Sequence, residues 1–306
     1  MLREEALEAG YIVATNTFNT FQTHCNDVLS AETLMMTREH IDETLGPIGL
    51  TIGTGGSGGA IQQYSIAQNY PGLLDAVNSS VAFPDAVTIS GGVTDCGLLA
   101  NYWGSDIGET FSEEARTAVQ GHGTAAFCAA WITSFLGNIN AGSGCAGVVD
   151  EAAVYNPEEN PDGARCTLQD SGINVFGADD DGFGRRALDN IGIEYGRAAL
   201  VDGLITVDQF LDLNANIGGY DIDGNLVDER IQADPEVVEI AYATGRVLHG
   251  DSAVRDIPII DTDRYSDLAF DIHDRFRFFT IRARITGSED PSAAEPNRVI
   301  LSLIHI

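Results

Sequence analysis

Residues 55 to 59, Gly-Gly-Ser-Gly-Gly, spell G-x-S-x-G, and Gly53, Gly55 and Gly58 spell G-x-G-x-x-G over the same stretch. The first pattern is a strand-to-helix elbow that exposes a nucleophilic serine, with glycines where the sharp turn leaves no room for side chains. The second lets a backbone approach a dinucleotide pyrophosphate at a helix N-terminus. The elbow accounts for more of the residues. A dinucleotide loop follows the first strand of its domain, whereas a whole βα unit precedes this turn, and Asp75 and Asp85 merely bracket the position of a ribose-binding acid. In a chain with 34 glycines the G-x-G-x-x-G spacing also arises cheaply. Ser57 is therefore the candidate nucleophile, and the Gly58 N–H a candidate oxyanion donor.

Composition narrows the chemistry further. The 306 residues carry 46 acidic and 16 basic side chains, a formal charge of −30, and every basic one is arginine. Without lysine there is no phosphate-loop lysine, no Schiff base and no Ser-Lys dyad. So acidic a surface repels nucleic acid, and no run of about 18 apolar residues is present to span a membrane. Nothing calls for a cofactor or a metal. The five cysteines show neither C-x-x-C nor zinc spacing. Cys145 and Cys166 bracket the loop-rich "CAGVVDEAAVYNPEENPDGARC", a stretch suited to a disulfide and hence to an oxidising compartment. "MLREEALEAG" lacks a signal-peptide core, so an extracellular or periplasmic protein is expected whose leader lies outside this chain.

Around the turn, β-branched "GYIVATNTF" (10–18) predicts a buried strand. A helix follows from an N-cap at Ser30 to the stop at Gly46-Pro47, then strand "IGLTIG", helix "GGAIQQYSIAQNY" and strand "LDAVNSSVA". That alternation predicts a parallel sheet covered by helices. Residues 84–250, rich in Gly, Asp, Asn and Pro, break it and predict an inserted cap. Core elements resume at 251–300 with strand "DIPIID", helix "DRFRFFTIRARI" and strand "NRVILSL", and 301–306 is a tail. Arginines 275, 277, 282 and 284 among phenylalanines 276, 278 and 279 suit a helix with one buried face. "ADDDGFG" and "DIDGN" lack the closing glutamate of a calcium loop and read as solvated turns.

The segment from "GYIVATNTF" through "GTGGSGGAIQQYSIAQNYPGLLDAVNSSVAFPD" resembles the core of the tannases and feruloyl esterases among the α/β-hydrolases. With "NPDGARCTLQD", "DNIGIEYG" and "IPIID…DIHDRFRFFTIRAR" it is similar to a secreted bacterial family of unknown function in that superfamily. The resemblance covers most of residues 10 to 300. It implies an α/β-hydrolase fold, with residues 1–83 as the first part of the core and its N-terminal strands missing. It also implies cleavage of a small or oligomeric ester through an acyl-enzyme. Tannases carry a cysteine just before the nucleophile, bonded to one beside the catalytic histidine; here residue 56 is glycine and residue 274 aspartate. The relatives' second oxyanion donor lies upstream of "GYIVATN" and outside this chain.

In that superfamily the triad runs serine, acid, histidine. His24 and His40 precede Ser57, His122 and His249 fall in or at the edge of the cap, and His305 is in the tail, which leaves His273 as the candidate base. Asp261, closing strand "IPII", is the candidate acid, with Asp85 and Asp95 as rivals, while Asp263, Asp267 and Asp271 read as solvated loop carboxylates. A standard hydrolase histidine follows the last strand, and His273 precedes it. Two other functions stay open: a nicotinamide-dependent oxidoreductase using the Gly53–Gly58 turn, and a non-catalytic binding protein on a hydrolase scaffold.

Overall fold

The computed structural model describes residues 3–19, 26–145, 150–250, 252–266, 271–287 and 297–303; His24, Cys25, Asp267 and His305 lie outside them. Four strands, β1 (Ile52–Ser57), β2 (Ala76–Ala82), β5 (Ile259–Arg264) and β6 (Arg298–Leu303), form one sheet in the order β1-β2-β5-β6. All three pairings are parallel. The short hairpin strands β3 (Gly219–Tyr220) and β4 (Leu226–Val227) pair apart from it. Parallel strands need crossovers. Helix α3 (Gly58–Asn69) links β1 to β2, and α12 (Phe276–Thr286) links β5 to β6. The mixed α/β architecture with a parallel sheet is the one expected, and it puts the carboxyl ends of all four strands on one edge.

Three predicted features shift. "GYIVATNTF" forms no strand: residues 11–16 are irregular and partly or fully exposed, ending in a 3-10 turn at Thr17–Asn19. Among the described residues nothing pairs with the outer side of β1, and a β-branched run becomes a strand only where a ladder receives it. Helix α2 (Asp27–Leu45) starts earlier than predicted, because Asn26 is its cap and accepts the Leu29 N–H at 3.0 Å, while Ser30 is buried inside the helix. β1 starts later, at Ile52, and takes Gly53, Gly55 and Gly56 into the strand itself.

Between β2 and β5 no described residue joins the main sheet. The principal helices here are α4 (Ala86–Tyr102), α5 (Glu113–Gln120), α6 (Ala126–Phe135), α10 (Val207–Asn216) and α11 (Pro235–Ala243), and α7 (Leu168–Ser171), α8 (Ile173–Phe176) and α9 (Arg197–Val201) are short, as is α1 (Glu4–Glu8) ahead of the sheet. This stretch has a core of its own, built from residues between Leu98 and Ile231, separate from the one that Tyr64, Val77, Ile259, Phe278 and Ile281 form against the sheet. Cys145–Cys166 is bonded as expected; Cys96–Cys128, which joins α4 to α6, has no spacing signal in the sequence. Of the two acidic turns, "ADDDGFG" keeps Asp179, Asp180 and Asp181 exposed as expected, and "DIDGN" is not simply solvated. Asp223 of "DIDGN" pairs with Arg165, whose guanidinium also meets Asp170 at 3.3 Å and lies over Tyr155 and Phe183.

Asp95 faces this second core, where the Tyr195 hydroxyl donates to it at 2.5 Å. Burial pushes its carboxyl up to about 6, against the opposing pull of the Tyr195 hydrogen bond and the Arg230 charge. The folded state therefore binds this proton more tightly than the unfolded chain, whose aspartate titrates near 3.9. Stability from this group is fully present below the unfolded value and is lost as pH rises through about 6. Asp95→Asn keeps an acceptor for Tyr195 and abolishes the titration. Its stability relative to wild type, from urea unfolding, is expected to rise between pH 4 and pH 7 by at most about 1.4 kcal/mol per pH unit; a pH-independent difference contradicts this.

Candidate active site

β1 ends on Ser57 and α3 begins at Gly58, so the serine sits at the strand-to-helix junction, at φ 54° and ψ −117°. Non-glycine residues hold such a backbone only where the surroundings enforce it, at a cost of order 1–3 kcal/mol. The enforcing contacts are visible. Parallel pairing of β1 with β2 shifts register between Gly56 and Ser57, and Val81, opposite the shift, is the other non-glycine residue with positive φ among those described. A Cβ on Gly55 would lie 3.2 Å from Gly59 Cα, and one on Gly56 would lie 2.7 Å from Ser80 Oγ. The first contact is the crowding that G-x-S-x-G anticipates. The Ser57 side chain makes no capping bond to α3, so its hydroxyl is not spent on the helix. The Gly58 N–H stands in the first turn, where helix amides have no intrahelical acceptor.

The G-x-G-x-x-G reading does not survive this geometry. A pyrophosphate loop needs its glycines in the turn after the strand, and Gly53 and Gly55 are strand residues.

His273 lies between β5 and α12, where residues 271–274 are irregular. Its Nδ1 is 2.6 Å from Asp271 Oδ1, which also accepts the His273 backbone N–H at 3.1 Å. Burial raises the Asp271 carboxyl, but the backbone and ring hydrogen bonds from His273, with the charges of His273 and Arg264, hold it below its ordinary value. An aspartate on Nδ1 selects the Nδ1–H tautomer and leaves the lone pair on Nε2. Nε2 is buried and has no hydrogen-bond partner among the described residues. Such an arrangement can accept a proton.

Intervening residues link this pair to the Ser57 turn, and no hydrogen bond joins Ser57 Oγ to Nε2. Ala82 is the register partner of Ser57, and the next residue, Phe83, packs its ring 5.4 Å from the His273 imidazole. One apolar cluster contains Ile61, from the first turns of α3, with Phe83 and Trp131, and Ile272 packs against it.

Asp261 is not the carboxylate at the imidazole. β5 runs three residues past it to Arg264, so Asp261 lies mid-strand rather than at the strand's end. It is fully buried and accepts from the Tyr64 hydroxyl at 2.6 Å, from Ser79 Oγ, and from Arg298 Nε at 2.6 Å. The rivals are engaged too. Asp85 caps α4 through Thr88 and pairs with Arg284 at 2.6 Å, and Asp95 belongs to Tyr195. Asp271, a loop carboxylate with a 40% exposed side chain as read from sequence, is the acid that meets the imidazole, whereas Asp263 is buried in β5 rather than in a loop. The missed signal was local: Asp271 and His273 are two residues apart in "DIHD".

The other described histidines fit less well. His40 is exposed on α2. The His249 N–H bonds Gln68 Oε1 near the far end of α3, about 16 Å along the helix from Ser57 at 1.5 Å per residue. His122 stacks on Phe127 at 3.8 Å, and burial, with the Arg277 charge, lowers it to about 4.

Residues 1–300 match the Tannase-like family of unknown function (DUF6351). The chain belongs to that family. No curated protein matches it by sequence. Among solved structures it is similar to an esterase from Aspergillus oryzae, at 11% identity and a TM-score of 0.38 over 95% of this chain. It is also similar to feruloyl esterase B from the same organism, at 14% identity and a TM-score of 0.39 over 93% of this chain. The chain spans 60% of the length of each.

Proposed function

We propose that this protein is a serine hydrolase that cleaves a carboxylic ester through an acyl-enzyme. The observation that carries the reading is the left-handed Ser57 between β1 and α3; an imidazole paired with a carboxylate supports it, its ring packed on Phe83, the residue after Ser57's register partner. In this scheme His273 Nε2 takes the Ser57 hydroxyl proton as Oγ attacks the ester carbonyl, and Asp271 stabilises the resulting imidazolium through Nδ1–H. The oxyanion forms toward the Gly58 N–H. Collapse expels the alcohol, which leaves with the proton from Nε2. Water, deprotonated by the same nitrogen, then attacks the acyl-serine and releases the acid. Membership in a tannase-like family supports ester chemistry, and the helical stretch 84–250 would act as the cap that selects the substrate. Two disulfides favour an extracellular or periplasmic site of action, and no described helix is long and apolar enough to cross a membrane.

A fluorophosphonate probe tests the reading on the full-length protein, because it reacts only with an activated serine. A single adduct on the peptide containing Ser57 is expected, together with loss of hydrolysis of a p-nitrophenyl ester. Labelling at another serine, or hydrolysis that survives complete labelling, would refute it.

A further inference from the structure

Residues 271–274, around His273, have no regular secondary structure, so side-chain contacts must fix its ring. We propose that Trp131 is a positioning residue for His273, acting through the peptide unit that joins Ile272 to His273; this rests on the ester-hydrolase reading above. The indole Nε1–H of Trp131 donates to the Ile272 carbonyl at 3.2 Å. The N–H of that same peptide belongs to His273 and donates to Asp271 Oδ1 at 3.1 Å. A peptide unit is planar, so bonds at both its C=O and its N–H clamp its rotation. The clamp sets the direction in which the His273 side chain leaves the backbone. It also keeps Asp271 Oδ1 where it meets ring Nδ1.

The donor stands on a fixed base. Trp131 is 1% exposed on α6, and Cys128, one turn earlier, ties that helix to α4 through Cys96. Phe83 meets the indole edge-on at 6.1 Å, Phe127 stacks on it at 5.6 Å, and the Arg277 guanidinium lies 4.8 Å from its centroid. Phe83 touches both rings, so the indole and the imidazole share one apolar wall. Trp131 itself has no role in bond making.

Replacing both tryptophans with 3-benzothienylalanine exchanges indole N–H for sulfur and preserves ring shape. The protein has only Trp103 and Trp131, and Trp103 Nε1 has no hydrogen-bond partner among the described residues, so the exchange deletes one described bond. Trp131→Phe is the genetic counterpart. For either protein with an unchanged near-ultraviolet spectrum, kcat on a p-nitrophenyl ester should fall between about two- and twelvefold, the range for one net hydrogen bond, with KM within twofold. Nitrogen-15 spectra of His273 should change from the Nδ1–H tautomer to a mixture of both. Folded proteins that keep wild-type kcat and a pure Nδ1–H tautomer overturn the proposal. If the wild type neither hydrolyses the ester nor labels at Ser57, yet the tautomer still shifts, Trp131's hold on the ring stands and the hydrolase reading falls.

Discussion

Ser57→Ala is expected to lower kcat for ester hydrolysis by about 10⁴- to 10⁶-fold, with no compensating change in KM, because a triad without its nucleophile retains only binding and oxyanion stabilisation. A loss smaller than about a hundredfold would place the nucleophile elsewhere. The same position carries an independent stability test. At φ 54° and ψ −117° a Cβ is strained, and glycine is not. Ser57→Gly should therefore be equally inactive yet about 1 kcal/mol more stable to urea, the relieved strain exceeding glycine's extra unfolded-state entropy. A Ser57→Gly protein less stable than wild type would mean that the turn is not strained at Ser57. The pairing of lost function with gained stability separates a residue held under strain for chemistry from a filler residue in a glycine turn.

Arg298→Met is expected to cost about 3–5 kcal/mol of unfolding free energy, the penalty for removing one partner of a buried ion pair. Arg298 and Asp261 are both buried, and their ion pair is 2.5 Å long. The pair ties β5 to β6, while Tyr64 and Ser79 bring α3 and β2 onto the same carboxylate. Without the guanidinium that carboxylate keeps two hydroxyl donors and an uncompensated charge. Adding Asp261→Asn should return at least half of the loss, since an amide needs no counter-ion. Equal instability of the single and double variants, measured by urea denaturation, would show that Arg298 contributes packing and not charge. Asp261→Asn alone should weaken the fold and leave the hydrolytic pH profile unchanged, which distinguishes its core position from that of Asp271.

The sequence by itself determined the local features. The alternation from residue 48 to 82 specified β1, α3 and β2 and their parallel arrangement, though not where β1 begins, because a strand, a helix and a strand joined by short turns have few ways to bury their apolar faces. Glycines on both sides of Ser57 specified a tight junction; the steric reason holds at Gly55 but not at Gly59, where an added Cβ would meet nothing within 4 Å. The loop between Cys145 and Cys166 specified its own disulfide. Tertiary structure decided everything that depends on which strand has a neighbour and which carboxylate is left over. "GYIVATNTF" has strand propensity and no ladder among the described residues, so it stays irregular. "IPIID" reads as a strand with an acid at its tip. Pairing with β2 and β6 instead carries β5 on to Arg264 and draws Asp261 into the core, where Arg298, remote in sequence, claims it. Asp271 is the solvated loop carboxylate it looks like, its side chain 40% exposed, and nothing in a linear string shows that Phe83 and Trp131 hold His273 and Ile272 against the core beside it. Propensity and spacing act over a few residues, whereas the partner of a buried charge is set by contacts formed only when the sheet assembles.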